Sequence, residues 1–323
     1  MKKKVLGSAF VAVTALLLAA CGGGDTDDNG GNGDSNGNGN DGGETTGNDN
    51  DPTDVLNVQF VPSQNAETLV ATAQPLEDLL SEQLDGIEVN VSVSTDYAGV
   101  IAALSSGTVD VGFLPPNAYV TAKEEGFAEV ILQSLRYGVN EEDGTPTEDL
   151  VEGYKSQFLV RADSDIESIE DVAGKTVAFQ NRTSSAGYVW PAATLIDNGI
   201  DPEADVTGIE RQGHDQAILS LLDGSVDVAV TFQDARNTVS GDFPDIWETT
   251  RVIETTEMIP NDTISVRADM SEEWQEKLQD AFIAIGESEE GRQIIFDVYS
   301  HEGYMKSDDS KFDIVRDYAD RIE

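Results

Sequence analysis

Three hydroxyl side chains in a row, Thr183, Ser184 and Ser185, stand directly before Ala186-Gly187-Tyr188, where the pattern opens a helix over 186–198. One capping side chain serves a helix start, so three exceed the need. The first turn also presents free backbone N–H groups and partial positive charge. Hydroxyls and amides therefore converge on an acceptor, an anion above all. A second constellation pairs Tyr97 with His214. Asp96-Tyr97-Ala98-Gly99 aligns with Gly213-His214-Asp215-Gln216, and each begins a helix after a strand, where open α/β sheets bind ligands. Tyr97 offers a phenol O–H. His214 offers a ring N–H, and a bound anion favours its charged form. Arg182 and Arg211 are the only cations at these strand ends, so a site of neutral donors is expected.

Other chemistries fail on their residues. There is no Gly-x-Ser-x-Gly elbow, P-loop, His-Glu-x-x-His or Gly-x-Gly-x-x-Gly helix start. His214 and Asp215 are adjacent on one helix turn and cannot act as relay partners with a serine. One cysteine and two histidines give no metal site of the usual kinds. The reading is a binding protein, not an enzyme, without cofactor or metal.

The elements that must place these residues repeat. Ile101–Phe113, with Ser106-Gly-Thr-Val-Asp-Val at its centre, matches Ile218–Val230, with Asp223-Gly-Ser-Val-Asp-Val. Each reads as a helix end, a glycine stop (Gly107, Gly224) and a buried strand, 109–114 and 226–232. Upstream, strands 55–60 and 175–179 correspond, as do helices 67–84 and 186–198 and strands 87–94 and 206–211. Each copy is β-α-β-α-β. That alternation predicts an α/β fold of two similar lobes, each a mostly parallel sheet with flanking helices. Strands 156–161 and 263–267 are the expected crossings between lobes. Helices 271–286, 288–299 and 309–321 are expected to pack on lobe 1.

Length and charge bound the rest. The chain has 323 residues, 62 acids against 19 Lys and Arg, a net charge of −43 and 39% hydrophobic residues. Such an acid excess opposes nucleic-acid binding, which needs a basic face. Residues 1–20 carry Lys2, Lys3 and Lys4, then an apolar run too short to span a bilayer comfortably, as in a secretory signal. Leu18-Ala19-Ala20-Cys21 resembles a bacterial lipobox, which implies cleavage before Cys21 and lipid on it. Residues 21–54 are Gly, Asn and Asp in the main and read as a disordered, self-repelling tether.

Together, lipobox, acidic tether and two α/β lobes resemble the solute-binding lipoprotein of an ABC importer, and more closely its phosphate/phosphite/phosphonate-binding branch. The matching stretches are Ser94–Val100, Gly112–Tyr119, Arg182–Pro191, Gly213–Ile218 and Pro260–Thr263. The resemblance implies a type II periplasmic-binding-protein fold, with lobe 1 at 55–160 plus 264–323 and lobe 2 at 161–263. It implies a small phosphorus oxyanion held between the lobes and delivered to a permease and its ATPase. It also places Tyr119 and Asp234, at matching positions after strands 109–114 and 226–232, near the ligand. There Asp234 accepts from a protonated phosphoryl O–H or pairs with an ammonium substituent. Asp215 and Asp262 are lesser candidates. The expected protein is an extracytoplasmic monomer anchored through Cys21. Sulfonate or thiamine-precursor binding, and a surface adhesion or sensory role without transport, are the alternatives.

Overall fold

The computed structural model describes residues 51–140 and 142–322. The signal, Cys21 and most of the tether lie outside the described residues. The described residues include 51–54, the last of the expected tether. The Asp51 carboxylate accepts from the Ser271 N–H at 2.9 Å, at the N-cap of helix Glu272–Glu287, where free N–H groups attract a carboxylate.

Val55–Phe60 alternates half-buried and buried side chains, the period of a strand with one face on a core. It pairs in parallel with Glu88–Val93 on one side and Val111–Leu114 on the other. In the second copy Thr176–Phe179 pairs in parallel with Thr207–Glu210 and Val228–Phe232. The repeat holds down to single atoms. Asp110 Oδ2 accepts from the Asn57 N–H at 2.8 Å, and Asp227 Oδ2 accepts from the Thr176 N–H at 2.9 Å. These are the aspartates of the two Val-Asp-Val segments.

Both sheets are mixed, and the parallel order is confined to those three strands of each. In the first sheet Thr263–Arg267 lies antiparallel to Val111–Leu114, followed by Ala128–Val139 and Gly303–Lys306, with Pro146–Val151 also on Ala128–Val139. In the second, Ser156–Arg161 lies antiparallel to Val228–Phe232 and is followed by Thr250–Thr255. Ser156–Arg161 and Thr263–Arg267 arrive from the other sheet and Pro146–Val151 by a hairpin, without the helical crossover that joins parallel neighbours.

Strands 156–161 and 263–267 are therefore members of the second and first sheets, not the crossings. The chain passes between sheets just outside them, where Gly153–Tyr154 pairs antiparallel with Ile259–Pro260. Asn261 clamps both passages to the first sheet. Its N–H donates to Glu152 O at 2.9 Å, and its Nδ2 donates to Ser134 O at 3.0 Å and Val151 O at 2.8 Å.

Three helices depart from expectation for local reasons. The stretch 67–84 breaks into Ala66–Ala73 and Leu76–Gln83 at Pro75, which has no N–H to continue the ladder. The helix expected at 186–198 opens with a π-helical turn, Ser185–Val189, before Trp190–Asp197. Helices Glu272–Glu287 and Glu289–Tyr299 pack on the first sheet around Phe282, Ile295 and Val298. The last helix, Asp313–Asp320, does more than that. Its Tyr318 stacks on Trp190 with centroids 4.4 Å apart and planes 8° from parallel, and Arg321 bonds Asp197, so the C-terminus ties the two halves together.

The paired aspartates give a stability test. Asp227→Ala should cost about 1–3 kcal/mol, the price of an orphaned N–H. Asp110→Ala should cost more, because Asp110 also neutralises the buried Arg267 at 3.0 Å and removing one partner of a buried pair costs about 3–5 kcal/mol. Urea unfolding that ranks Asp227→Ala as the more damaging change would contradict this assignment.

Candidate functional site

The loops that leave the carboxyl ends of the parallel strands face one another. They are 61–65, 94–96 and 115 from the first sheet, and 180–184, 211–213 and 233–234 from the second. Between them lies a cavity of about 310 Å³. Four residues singled out in the sequence line it: Tyr97, Ser184, His214 and Asp234.

Tyr97 is the first residue of helix Tyr97–Ser105, whose N-cap Asp96 accepts from the Gly99 N–H at 2.7 Å. Its ring is buried, and burial raises its phenol well above the ordinary value while the neighbouring Ser184 hydroxyl pulls the other way. The phenol is thus a fixed O–H donor. Ser184 caps the π-helical turn, its Oγ accepting from the Gly187 N–H at 3.1 Å. The turn is seated from below: Ser156 Oγ donates to Ala186 O at 2.6 Å. Gly187 permits this, since a Cβ there would sit 1.9 Å from Gln180 Cγ.

His214 opens helix His214–Leu222. Gly213 before it has φ +96°, and a Cβ there would press on the Gln64 backbone at 3.0 Å. This close approach lets the His214 N–H donate to Ser63 O at 2.9 Å, from one half of the molecule to the other. The imidazole stands edge-on to Phe232 at 4.7 Å, and its Nδ1 has no hydrogen-bond partner. Burial, with help from nearby Arg136, holds its pKa down to about 3, so the ring is neutral at physiological pH.

Asp234 meets a partner that sequence reasoning missed. Arg136, from strand Ala128–Val139, gives Nη2 to both Asp234 oxygens at 3.1 Å. The guanidinium lies 5.4 Å from the Phe232 ring centre and 5.5 Å from that of Tyr154. The expectation of purely neutral donors is therefore corrected: among the described residues, Arg136 is the one Lys or Arg lining the cavity. Arg182 and Arg211 are engaged elsewhere, with Glu203 and Ser220. The available signal was a lone arginine in the apolar run Ile131-Leu-Gln-Ser-Leu-Arg136. Asp262, ranked low from sequence, also lines the cavity, as do Tyr154 and Tyr299. Tyr154 is held well above its ordinary pKa by burial and then by the Asp262 carboxylate.

The other three expected residues lie off the cavity. Ser185 is sealed, and its Oγ accepts from the Asn117 N–H at 2.9 Å, so it joins helix Pro116–Glu124 of the first half to the turn of the second. Thr183 gives its hydroxyl to Asn181 Oδ1 at 2.8 Å. Tyr119 is core: it donates to Asp309 Oδ1 at 2.8 Å and packs on Phe312. Asp215 is largely buried beside Gln216, and burial raises its pKa.

Strand-end loops of two sheets closing on one cavity define a binding protein of the two-lobed α/β type. The family described as ABC transporter, phosphonate, periplasmic substrate-binding protein matches residues 58–312, and the chain belongs to that family, one of substrate-binding proteins rather than enzymes. The chain is 33% identical over 187 residues to a phosphate-import protein of Mycolicibacterium smegmatis, covering 55% of each chain. It therefore spans about half the length of that relative. The fold is shared with a binding protein component of an ABC phosphonate transporter from Pseudomonas aeruginosa (TM-score 0.71, 23% identity, 82% of this chain and 85% of that one). It is also shared with a Prochlorococcus marinus protein solved in complex with methylphosphonate (TM-score 0.70, 16% identity, 83% and 98%).

His214 sets a pH dependence of stability. Its folded pKa lies below the ordinary 6.5, so the unfolded chain binds the proton more readily. The contribution is fully present above pH 6.5 and is lost as pH falls toward about 3. By pH 5 the loss should reach about 2 kcal/mol. His214→Asn should flatten the unfolding free energy between pH 6.5 and 5 relative to the parent, and identical slopes would remove the imidazole from the account.

Proposed function

We propose that this protein captures a small phosphorus oxyanion, a phosphonate, phosphite or phosphate, in the cavity between its sheets and hands it to an ABC permease driven by its ATPase. The observation that carries this is the convergence of Tyr97, Ser184, His214 and Arg136 on one cavity. A phenol, a hydroxyl, an imidazole and a guanidinium are the donors that a tetrahedral oxyanion needs on several sides at once. The names of the relatives point the same way. Each neutral donor contributes about 0.5–1.5 kcal/mol, and one with a charged partner about 1.5–3 kcal/mol. Buried guanidinium pairs beside the anion site also resist the competition of water better than exposed ones.

Release and capture follow from the two passages at 153–154 and 259–260. They are short paired segments, and rotation about them separates the sheets, parting contacts between the halves such as Tyr318 on Trp190. Closing brings His214 N–H to Ser63 O and Asn117 N–H to Ser185 Oγ, bonds that exist only when the halves meet. Ser185 acts here as a latch, and Thr183 supports the loop through Asn181. The monomer is the working unit, held outside the cytoplasmic membrane by lipid on Cys21, with the acidic segment as tether.

A thermal-shift panel of phosphate, phosphite, methylphosphonate, 2-aminoethylphosphonate and taurine tests the reading. A phosphorus compound at 100 times its Kd should stabilise by about 2.7 kcal/mol, and taurine should not. A shift with taurine alone, or with none, would refute it. His214→Ala and Tyr97→Phe should each weaken the best ligand about tenfold, whereas Tyr119→Phe should leave affinity unchanged and cost about 1 kcal/mol of stability. Cys21→Ser should move the protein from the membrane fraction to the medium, read by fractionation. Retention in the membrane would remove the lipid from the account.

A further inference from the structure

One wall of the cavity comes from a hairpin of the first sheet. Strand Ala128–Val139 turns back as Pro146–Val151, with Val139 opposite Pro146. Pro146–Val151 has no other strand beside it among the described residues, and nearly all of it is exposed. Tyr137, Val139, Gly144 and Pro146 nevertheless all line the cavity. A two-stranded hairpin has little stability of its own in water, so its place at the cavity depends on what its end rests on.

That end rests on the second half through Gly144. Gly144 is buried, while Glu142, Asp143, Thr145 and Pro146 around it are exposed. Its carbonyl accepts from Asn237 Nδ2 at 3.3 Å. It lies so close to the Trp247 ring that a Cβ there would stand 1.9 Å from Cη2 and 2.0 Å from Cζ2. The turn is braced from within: the Gly144 N–H donates to Asn140 O at 2.8 Å, and the Asn140 N–H to Thr145 O at 2.9 Å.

Trp247 is itself held in place. It belongs to the short helix Ile246–Thr249, and the Arg236 guanidinium lies over its ring, 3.4 Å from the centre. Arg236 is buried, and its Nε has no hydrogen-bond partner. Burial lowers its pKa to about 10, with no carboxylate acting against that, so it is charged at neutral pH and the indole face is its counterpart. One short turn thus does three things. Asp234 reaches Arg136, Arg236 covers Trp247, and Asn237 takes the Gly144 carbonyl.

We infer that Trp247, which is not among the residues lining the cavity, is a positioning residue for ligand binding: it is the stop that fixes the hairpin through Gly144, and the hairpin so fixed is the wall that retains a bound ligand. This rests on the reading of the cavity as a phosphorus-oxyanion site and adds to it a residue that touches no ligand. A small ligand is held by being surrounded on most sides, and the donors at the strand ends supply only some of them. A hairpin displaced from Trp247 opens another side to water, which then competes for those donors.

The test measures Kd by calorimetry and rates by stopped flow on the full chain, with phosphate, phosphite, methylphosphonate and 2-aminoethylphosphonate as probes. Gly144→Ala should raise the Kd of the tightest probe about tenfold through faster dissociation, with association changed less than about twofold. Alanine at this position also bears the strain of φ +68°. Gly126→Ala, at φ +77° with nothing within 4 Å of its Cβ, is the control for that strain and should leave Kd unchanged. Trp247→Leu keeps an apolar side chain without the six-membered ring that the Cβ would meet, and should raise Kd about threefold. The double variant should bind like Trp247→Leu alone, because the added methyl then meets no ring. Losses that multiply in the double variant, an unchanged Kd in Gly144→Ala, or an equal loss in Gly126→Ala each overturn the inference while the oxyanion reading stands. A parent chain that binds none of the four probes removes that reading, and this inference with it.

Discussion

The Arg136–Asp234 pair spans the two halves of this protein, and much of the site depends on it. Arg136 comes from the long strand of the first sheet and Asp234 from the loop after Val228–Phe232 in the second. Both side chains are nearly removed from water. Neither charge can be left alone at that depth without a penalty of several kcal/mol. The pair therefore favours the arrangement in which the halves meet, and it holds Tyr154, Phe232 and His214 in contact around it.

Around that contact the structure solves one problem twice. A parallel strand ends, a loop turns, and a helix begins beside the gap. The Asp110 and Asp227 bonds show the two copies built to one plan. The copies then diverge in use. In the first, the helix after the third strand buries Tyr119 against the C-terminal segment. In the second, the corresponding loop delivers Asp234 to the cavity. Equivalent places in a repeat are equivalent in backbone, while the neighbours that later pack on them decide what each side chain touches.

Several sequence expectations failed for reasons of this kind. Three hydroxyls in a row suggested three ligand contacts, but successive residues in a turn point in different directions. Ser184 alone faces the cavity; Ser185 turns back to Asn117 and Thr183 to Asn181. The expected crossings were strands because strand character is legible and the short passages beside them are not. Asn261 looked like part of a motif without a task, and its two amide bonds to Ser134 and Val151 are the task. Arg136 lies inside strand Ala128–Val139 rather than at a strand end, so the strand termini give no sign of it.

Local chemistry was readable directly from the chain. The β-α-β-α-β duplication, the α/β class, the helix starts at Tyr97 and His214 and the absence of an enzyme's machinery all follow from periodicity, caps and residue types, which act over a few positions. What required the tertiary structure was every contact between segments far apart in sequence: Arg136 with Asp234, His214 with Ser63, and the last helix with Trp190. The same holds for Asp262, whose Oδ2 lies 3.6 Å from His301 Nε2. Such features depend on how two sheets face one another and on which side chains the closing of that gap removes from water, and no window along the chain contains both walls.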